Sequence, residues 1–133
     1  MTVDLSGSVA LVTGASQGIG AGAALSLARR GADVVVNYLR AADMAINNLH
    51  TGDLAQDVCE QIRVLGRQAQ AIQVDVTDSK AVEDMVVAVE QTLGPIDILV
   101  NNAGHNPVRD ILESSETDWD WVLDLNLKAY FIC

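Results

Sequence analysis

The chain has 133 residues, half of them hydrophobic, and carries a formal net charge of −10 at pH 7. This size fits one domain with a buried core, and the few scattered basic residues exclude a nucleic-acid footprint. No signal peptide or membrane-spanning stretch is recognisable, and Cys59 and Cys133 suggest free thiols in a reducing cytoplasm. His50 and His105 lack ligand-like neighbours, so no metal site is predicted.

The first predicted unit is a strand, a glycine-rich turn and a helix. An apolar run at Ser8–Val12 has the length of a buried parallel strand, and Thr13–Gly20 then reads Thr-Gly-Ala-Ser-Gln-Gly-Ile-Gly. One buried helix face is predicted at Ile19, Ala23 and Leu27, and the helix should end at Arg29–Gly31. Such a turn lets backbone approach a pyrophosphate at a helix N-terminus, so it predicts dinucleotide binding. A P-loop is excluded because no Gly-Lys-Ser/Thr follows.

A second strand at Ala32–Asn37 leads into a long connection at residues 41–53. Connections between strands and helices usually take about 2–6 residues, so this one is a flap over the binding pocket or a surface insertion, with the insertion favoured. An extra helical turn at Ala41–Leu49 is the other alternative to the flap. We expect residues 41–53 to be mobile or weakly packed, because Asn47-Asn48 and Gly52 invite turns.

The remaining elements continue the alternation of helix and strand. A helix is predicted at Leu54–Leu65, a strand at Ala69–Val74, and a helix capped by Asp78 or Ser79. The buried face of that last helix should comprise Val82, Met85, Val86, Val89 and Leu93. A fourth strand at Ile96–Val100 runs into Asn101-Asn102-Ala103-Gly104. The alternation predicts a parallel α/β sheet with helices on both faces and a ligand at the carboxyl ends of the strands.

The final predicted helix is apolar on two sides, which indicates burial on both. One side carries Trp119, Val122, Leu123 and Tyr130, and the other carries Trp121, Leu125 and Ile132. The fourth strand would also present an unpaired edge. The chain is therefore expected to form a homo-oligomer or to need a complementing chain.

With both motifs placed, the chain resembles the short-chain dehydrogenase/reductase family from Leu5 to Cys133, apart from the 41–53 connection. It looks most like the group containing ketoacyl-carrier-protein reductases and glucose dehydrogenases. The resemblance implies a Rossmann-type doubly wound sheet, here ending after the fourth strand and its following helix, with residues 1–133 as a dinucleotide-binding domain. It implies oxidoreductase activity between a small-molecule alcohol and a carbonyl.

The resemblance also assigns site residues. The cofactor phosphates are expected among Gly14, Ser16, Gly18, Ile19 and Gly20. The adenine should border Asp75 and Val76, and the ribose and nicotinamide should border Asn102, Ala103 and Gly104. Asn126 matches the helix asparagine of the catalytic set, although an asparagine in this helix could equally bond backbone at a kink.

Cofactor choice follows from the end of the second strand, which reads Asn37-Tyr38-Leu39-Arg40. A carboxylate there would bind the ribose hydroxyls of NAD, whereas a basic residue accommodates the 2′-phosphate of NADP. Asn37 is no acid and Arg40 is basic, so NADP is favoured and NAD is the alternative, since Asp43 lies close behind. The missing acid also argues against a methyltransferase.

The family's Tyr-x-x-x-Lys pair does not occur in residues 1–133. The isolated chain is therefore expected to be inactive, because the tyrosine is the general acid/base of the family. The alternative to an oxidoreductase half is a non-catalytic dinucleotide-binding or interaction module, or one half of a two-chain enzyme. The sequence does not identify the substrate.

Overall fold

The computed structural model describes residues 3–39, 51–106 and 109–133. Four strands, β1 (Val9–Val12), β2 (Asp33–Tyr38), β3 (Ala69–Gln73) and β4 (Ile96–Val100), form one sheet in the order β3-β2-β1-β4. All three strand pairings are parallel. The chain therefore builds the sheet outward from β1 in one direction and then returns to the other side of β1. This confirms the predicted doubly wound α/β fold.

Helices cover both faces of the sheet. The side chains of β1 alternate between the two faces and so pack against helices on both sides. Ala10 and Val12 face a cluster formed with α1 (Gly18–Ala28) and α2 (Thr51–Val64). Val9 and Leu11 face a second cluster with α3 (Ser79–Thr92). Since both faces are covered, β1 is apolar at every position, as expected of a central parallel strand.

The buried face of α1 differs from the predicted one. Ile19 is 86% exposed, whereas Gly20, Ala24 and Ala28 are buried. A Cβ atom on Gly20 would lie 2.5 Å from Asn102 Nδ2, so only the smallest residue fits there. Ala23 and Leu27 of the predicted face are half-buried against the core, and only Ile19 is exposed. The centre of the buried face therefore lies one position further along, because close approach of helix and sheet selects small residues.

Other boundaries agree closely with the sequence. The β4 limits match the prediction, and the carboxylate of Asp78 caps α3 by accepting hydrogen bonds from the backbone N–H groups of Lys80 and Ala81. The predicted connection at 41–53 is shorter than expected at its carboxyl end, because α2 already begins at Thr51. Residues 40–50, with the rest of that connection and its expected mobility, lie outside the described residues.

The last part of the chain is a broken helix. It comprises α4 (Glu116–Leu123), a π-helical turn (Asp124–Lys128) and α5 (Ala129–Ile132), preceded by a 3₁₀ turn at Ile111–Glu113. Leu125 and Ala129 are buried against Val76. The apolar pattern predicted burial on both sides of this helix, but in this single chain the outer side is exposed. It presents Trp119, Leu123, Leu127, Tyr130 and Phe131. In the described ranges no helix has the length and apolarity needed to cross a membrane.

Candidate functional site

The two sequence motifs meet at the carboxyl ends of β1 and β4, where Thr13 joins them. The buried Thr13 hydroxyl accepts hydrogen bonds from the backbone N–H groups of Asn102 and Ala103, both at 3.0 Å. In return, Asn102 Nδ2 donates to the carbonyls of Thr13 and Gly14 at 2.9 and 3.0 Å. The motifs are thus one bonded unit. The sequence pattern placed Thr13 only at the start of the glycine-rich motif and did not predict this role.

A cleft of about 470 Å³ opens beside this junction, at the carboxyl edge of the sheet. Eight of the residues expected at the cofactor line it: Gly14, Ser16, Asn37, Asp75, Val76, Asn102, Ala103 and Gly104. The lining also includes residues that sequence reasoning did not assign: Gln17, Tyr38, Leu39, Val74, Thr77, Trp121 and Leu125. The two strand ends and the final helix therefore enclose one space.

The start of α1 lies at the same edge of the sheet and holds the other predicted phosphate residues. The first N–H groups of a helix have no intrahelical partner, and here the side chain of the N-cap residue, Gln17, does not bond to them either. Gly18 has φ of +58°, and a Cβ atom there would meet nothing within 4 Å. Ile19 is exposed beside it. The backbone is therefore open to an incoming anionic group at this point.

The turn after β3 forms the opposite wall. The carboxylate of Asp75 accepts hydrogen bonds from the backbone N–H of Thr77 at 2.9 Å and from its hydroxyl at 2.7 Å. The next residue, Val76, is buried against Leu125 of the π-helical turn. The wall that was expected to border an adenine is therefore held by a local carboxylate turn and by packing on the final helix.

Asn126 lies in the π-helical turn and its amide bonds to backbone. Asn126 Nδ2 donates to the carbonyl of His105 at 2.7 Å and to that of Val122 at 2.9 Å. A Cβ atom on Gly104 would lie 2.6 Å from Asn126 Oδ1, so this glycine permits the close approach. The contacts are those of the alternative interpretation, an asparagine bonding backbone at a helix irregularity. Its catalytic role stays a prediction.

An aromatic pair stands next to Asn126. The rings of His105 and Trp121 meet edge to face, with centroids 5.5 Å apart. Trp121 also lines the cleft. The helix pattern had assigned Trp121 only to an apolar side, and no signal in the sequence connected it with His105.

Arg40, on which the choice of NADP depends, lies outside the described residues. Within the part of the chain that the structure covers, no cluster of three metal-ligating side chains occurs.

Comparison with known proteins identifies the family. The short chain dehydrogenase family matches residues 8–133. The chain therefore belongs to the short-chain dehydrogenase/reductase family of oxidoreductases.

Curated relatives agree with this assignment. The hydroxynaphthalene reductase arp2 of Aspergillus fumigatus is 43% identical over 125 residues, which are 94% of this chain and 42% of that protein. The 3-oxoacyl-acyl-carrier-protein reductase FabG of Staphylococcus epidermidis is 40% identical over 124 residues, or 93% of this chain and 47% of the relative. The chain thus spans less than half the length of these two relatives.

A solved structure supports the same fold. A short chain dehydrogenase from Burkholderia cenocepacia, crystallised in complex with NADP, superposes with a TM-score of 0.84 at 41% identity. The match covers 96% of this chain and 48% of that one.

Proposed function

We propose that residues 1–133 form the dinucleotide-binding domain of an NADP(H)-dependent oxidoreductase that interconverts an alcohol and a carbonyl. The observation that carries the proposal is the single cleft in which the glycine turn and the Asn-Asn-Ala-Gly segment are bonded together through Thr13. The cleft lies beside β1, where the strand order reverses, which is the usual ligand position in open α/β sheets.

The residues present fit a dinucleotide. The cleft volume falls within the range of about 300–1,000 Å³ typical of small-molecule sites. The backbone at Gly18 is open, and the uncapped start of α1 offers N–H groups and the positive end of the helix dipole to phosphates. In this proposal Ser16, Gly18, Ile19 and Gly20 surround the phosphates.

The other roles follow the walls of the cleft. Asp75 and Val76 would border the adenine, and Asn102, Ala103 and Gly104 would border the ribose and nicotinamide. Asn126 would hold the final helix against the segment after Gly104, so that substrate and cofactor meet beside it. The nicotinamide supplies the hydride chemistry when it is bound, while the protein orients it.

The preference for NADP is supported by the charge at the end of β2. The residues described there, Asn37, Tyr38 and Leu39, include no carboxylate for the ribose hydroxyls, and the carboxylate of Asp75 is bonded to Thr77. Arg40 follows directly and would pair with a 2′-phosphate. The relative from Burkholderia cenocepacia was crystallised with NADP.

Calorimetric titration with NADP⁺ and NAD⁺ tests the proposal. The wild-type chain is expected to bind NADP⁺ more tightly, and Arg40→Asp should reverse the preference, since it repels a 2′-phosphate and offers an acceptor to ribose hydroxyls. Arg29→Asp is the matched control, because it makes the same charge change at the far end of α1 and should leave both affinities unchanged. Equal affinities before and after Arg40→Asp would remove Arg40 from the site.

One observation keeps the second candidate function in view. Residues 1–133 contain no Tyr-x-x-x-Lys pair, so this polypeptide by itself should bind the nucleotide without turning over ketones or aldehydes. The test is to mix the polypeptide with a chain that carries this pair and to follow NADPH absorbance. Turnover would show that the polypeptide is half of an enzyme, and its absence would favour a non-catalytic binding module.

A further inference from the structure

Asn37 is a buried polar residue at the carboxyl end of β2. It is 1% exposed, and among the described residues it is one of four buried polar or charged ones. Burying an amide is costly unless its donors and acceptor are all bonded. The partners of Asn37 therefore indicate what the residue does.

Those partners belong to two different walls of the cleft. Asn37 Oδ1 accepts a hydrogen bond from the backbone N–H of Gly14 at 3.3 Å. Asn37 Nδ2 donates to the carbonyls of Ile72 at 3.4 Å and Val74 at 3.0 Å. Its own carbonyl accepts from the backbone N–H of Ala15 at 2.8 Å. One residue thus links the glycine turn after β1 to the chain leaving β3.

We infer that Asn37 is a positioning residue that sets the distance between these two walls and holds the glycine turn in its binding conformation. The inference rests on the proposed dinucleotide site, and it assigns Asn37 a role different from direct contact with ribose. The polar atoms of the side chain are already bonded to backbone, so the residue acts on a ligand through Gly14 and Ala15.

Only an amide satisfies the three backbone partners together. One N–H of the turn bonds to an acceptor of Asn37, and two carbonyls on the other side bond to its donors. An ionised aspartate of the same shape supplies acceptors only and would face two carbonyl oxygens. Protonation returns one O–H donor. Burial and the facing carbonyls raise the pKa of such an aspartate, so the repair should occur at mildly acidic pH.

Asn37→Asp should therefore weaken binding in a way that recovers at low pH, which loss of structure alone would not do. Binding of NADP⁺ by calorimetry is compared between the variant and wild type from about pH 5 to about pH 8. Taking the ratio of the two dissociation constants at each pH cancels the pH effects that both proteins share; the described titratable groups that line the cleft are Tyr38 and Asp75. We expect the variant to bind at least about tenfold more weakly at the alkaline end and to approach wild type on acidification.

Two further variants complete the design. Asn37→Leu cannot regain a donor, so its weakened binding should not depend on pH. Asp33→Asn is the control, because Asp33 is also buried on β2 but lies at the opposite end, where it bonds Arg67 and Gln68. It should lower the melting temperature and leave the affinity unchanged.

Hydrogen exchange on the wild-type chain covers the case in which the Asn37 variants do not fold. The amide protons of Gly14 and Ala15 should be protected without ligand, and exchange as fast as in an unstructured peptide would overturn the inference. Folded Asn37 variants with the wild-type dissociation constant at every pH would also overturn it. If wild type binds neither NADP⁺ nor NAD⁺, the proposed function fails first and the inference falls with it.

Discussion

The two sides of the sheet differ in how completely their residues are buried and their polar groups are hydrogen-bonded within the chain. On the β2–β3 side, β1 and β2 are buried almost throughout, and the polar groups at their carboxyl ends are bonded within the chain. Both β3 and β4 are edge strands of the described sheet. Along β4 the residues alternate between half-buried and exposed. Among the described residues, Asn101 Oδ1 at the end of β4 is a buried atom without a hydrogen-bond partner.

The difference shows which part of the molecule is self-sufficient. The wall of the cleft made by the glycine turn, β2 and the segment after β3 is held by hydrogen bonds and packs on the buried apolar cluster around β1 and β2. The wall made by β4 and the final helix presents an unpaired edge and an exposed apolar surface, which normally pair with another segment or chain. We propose that this side is completed by further protein, either a second copy or a complementing chain.

The largest expected effect comes from truncating the closed core. Leu11 on β1 is 1% exposed and packs beneath α3, so Leu11→Ala should lower the free energy of unfolding by about 2–5 kcal/mol. Leu99 on β4 is 39% exposed, and Leu99→Ala should cost less than about 1 kcal/mol. Urea denaturation of both variants measures the difference. Equal losses would contradict the contrast between the two strands.

An intermediate effect is expected where the two sides are joined. Thr13→Val keeps the shape of the side chain but removes the acceptor for the N–H groups of Asn102 and Ala103, which should cost about 1–3 kcal/mol of stability. It should also weaken NADP⁺ binding. Thr13→Ser keeps the hydroxyl and serves as the control. If the serine variant lost as much affinity as the valine variant, the hydroxyl would not be what joins the motifs.

The smallest effect on folding is expected at the exposed apolar surface, where association should change instead. Phe131 is almost fully exposed, so Phe131→Glu should alter the free energy of unfolding by no more than about 0.5 kcal/mol. It should reduce self-association measured by sedimentation over a concentration series. Val64→Glu makes a comparable change at an exposed position at the end of α2 and should leave association unaffected. A wild-type chain that stays monomeric at high micromolar concentration would refute this proposal.

Much of the fold was predictable because its signals are local in the chain. The β4 limits follow from a mostly apolar run between Gly94-Pro95 and Asn101, and the α3 cap follows from an aspartate before an apolar helical pattern. The glycine and asparagine motifs identified the cleft for the same reason: backbone conformation and strand ends place them, and parallel strands bring their carboxyl ends to one edge.

What the sequence alone determined, then, was the order of the elements, the parallel sheet and the location of the cleft, since periodicity and turn residues encode them directly. Only the tertiary structure decided that α1 buries Gly20 rather than Ile19, that Thr13 joins the two motifs, and that the amide of Asn37 is bonded to both walls of the cleft. These features depend on how closely separate segments approach and which backbone groups they leave to be bonded. Such distances arise when the whole sheet assembles, and no spacing within one segment records them.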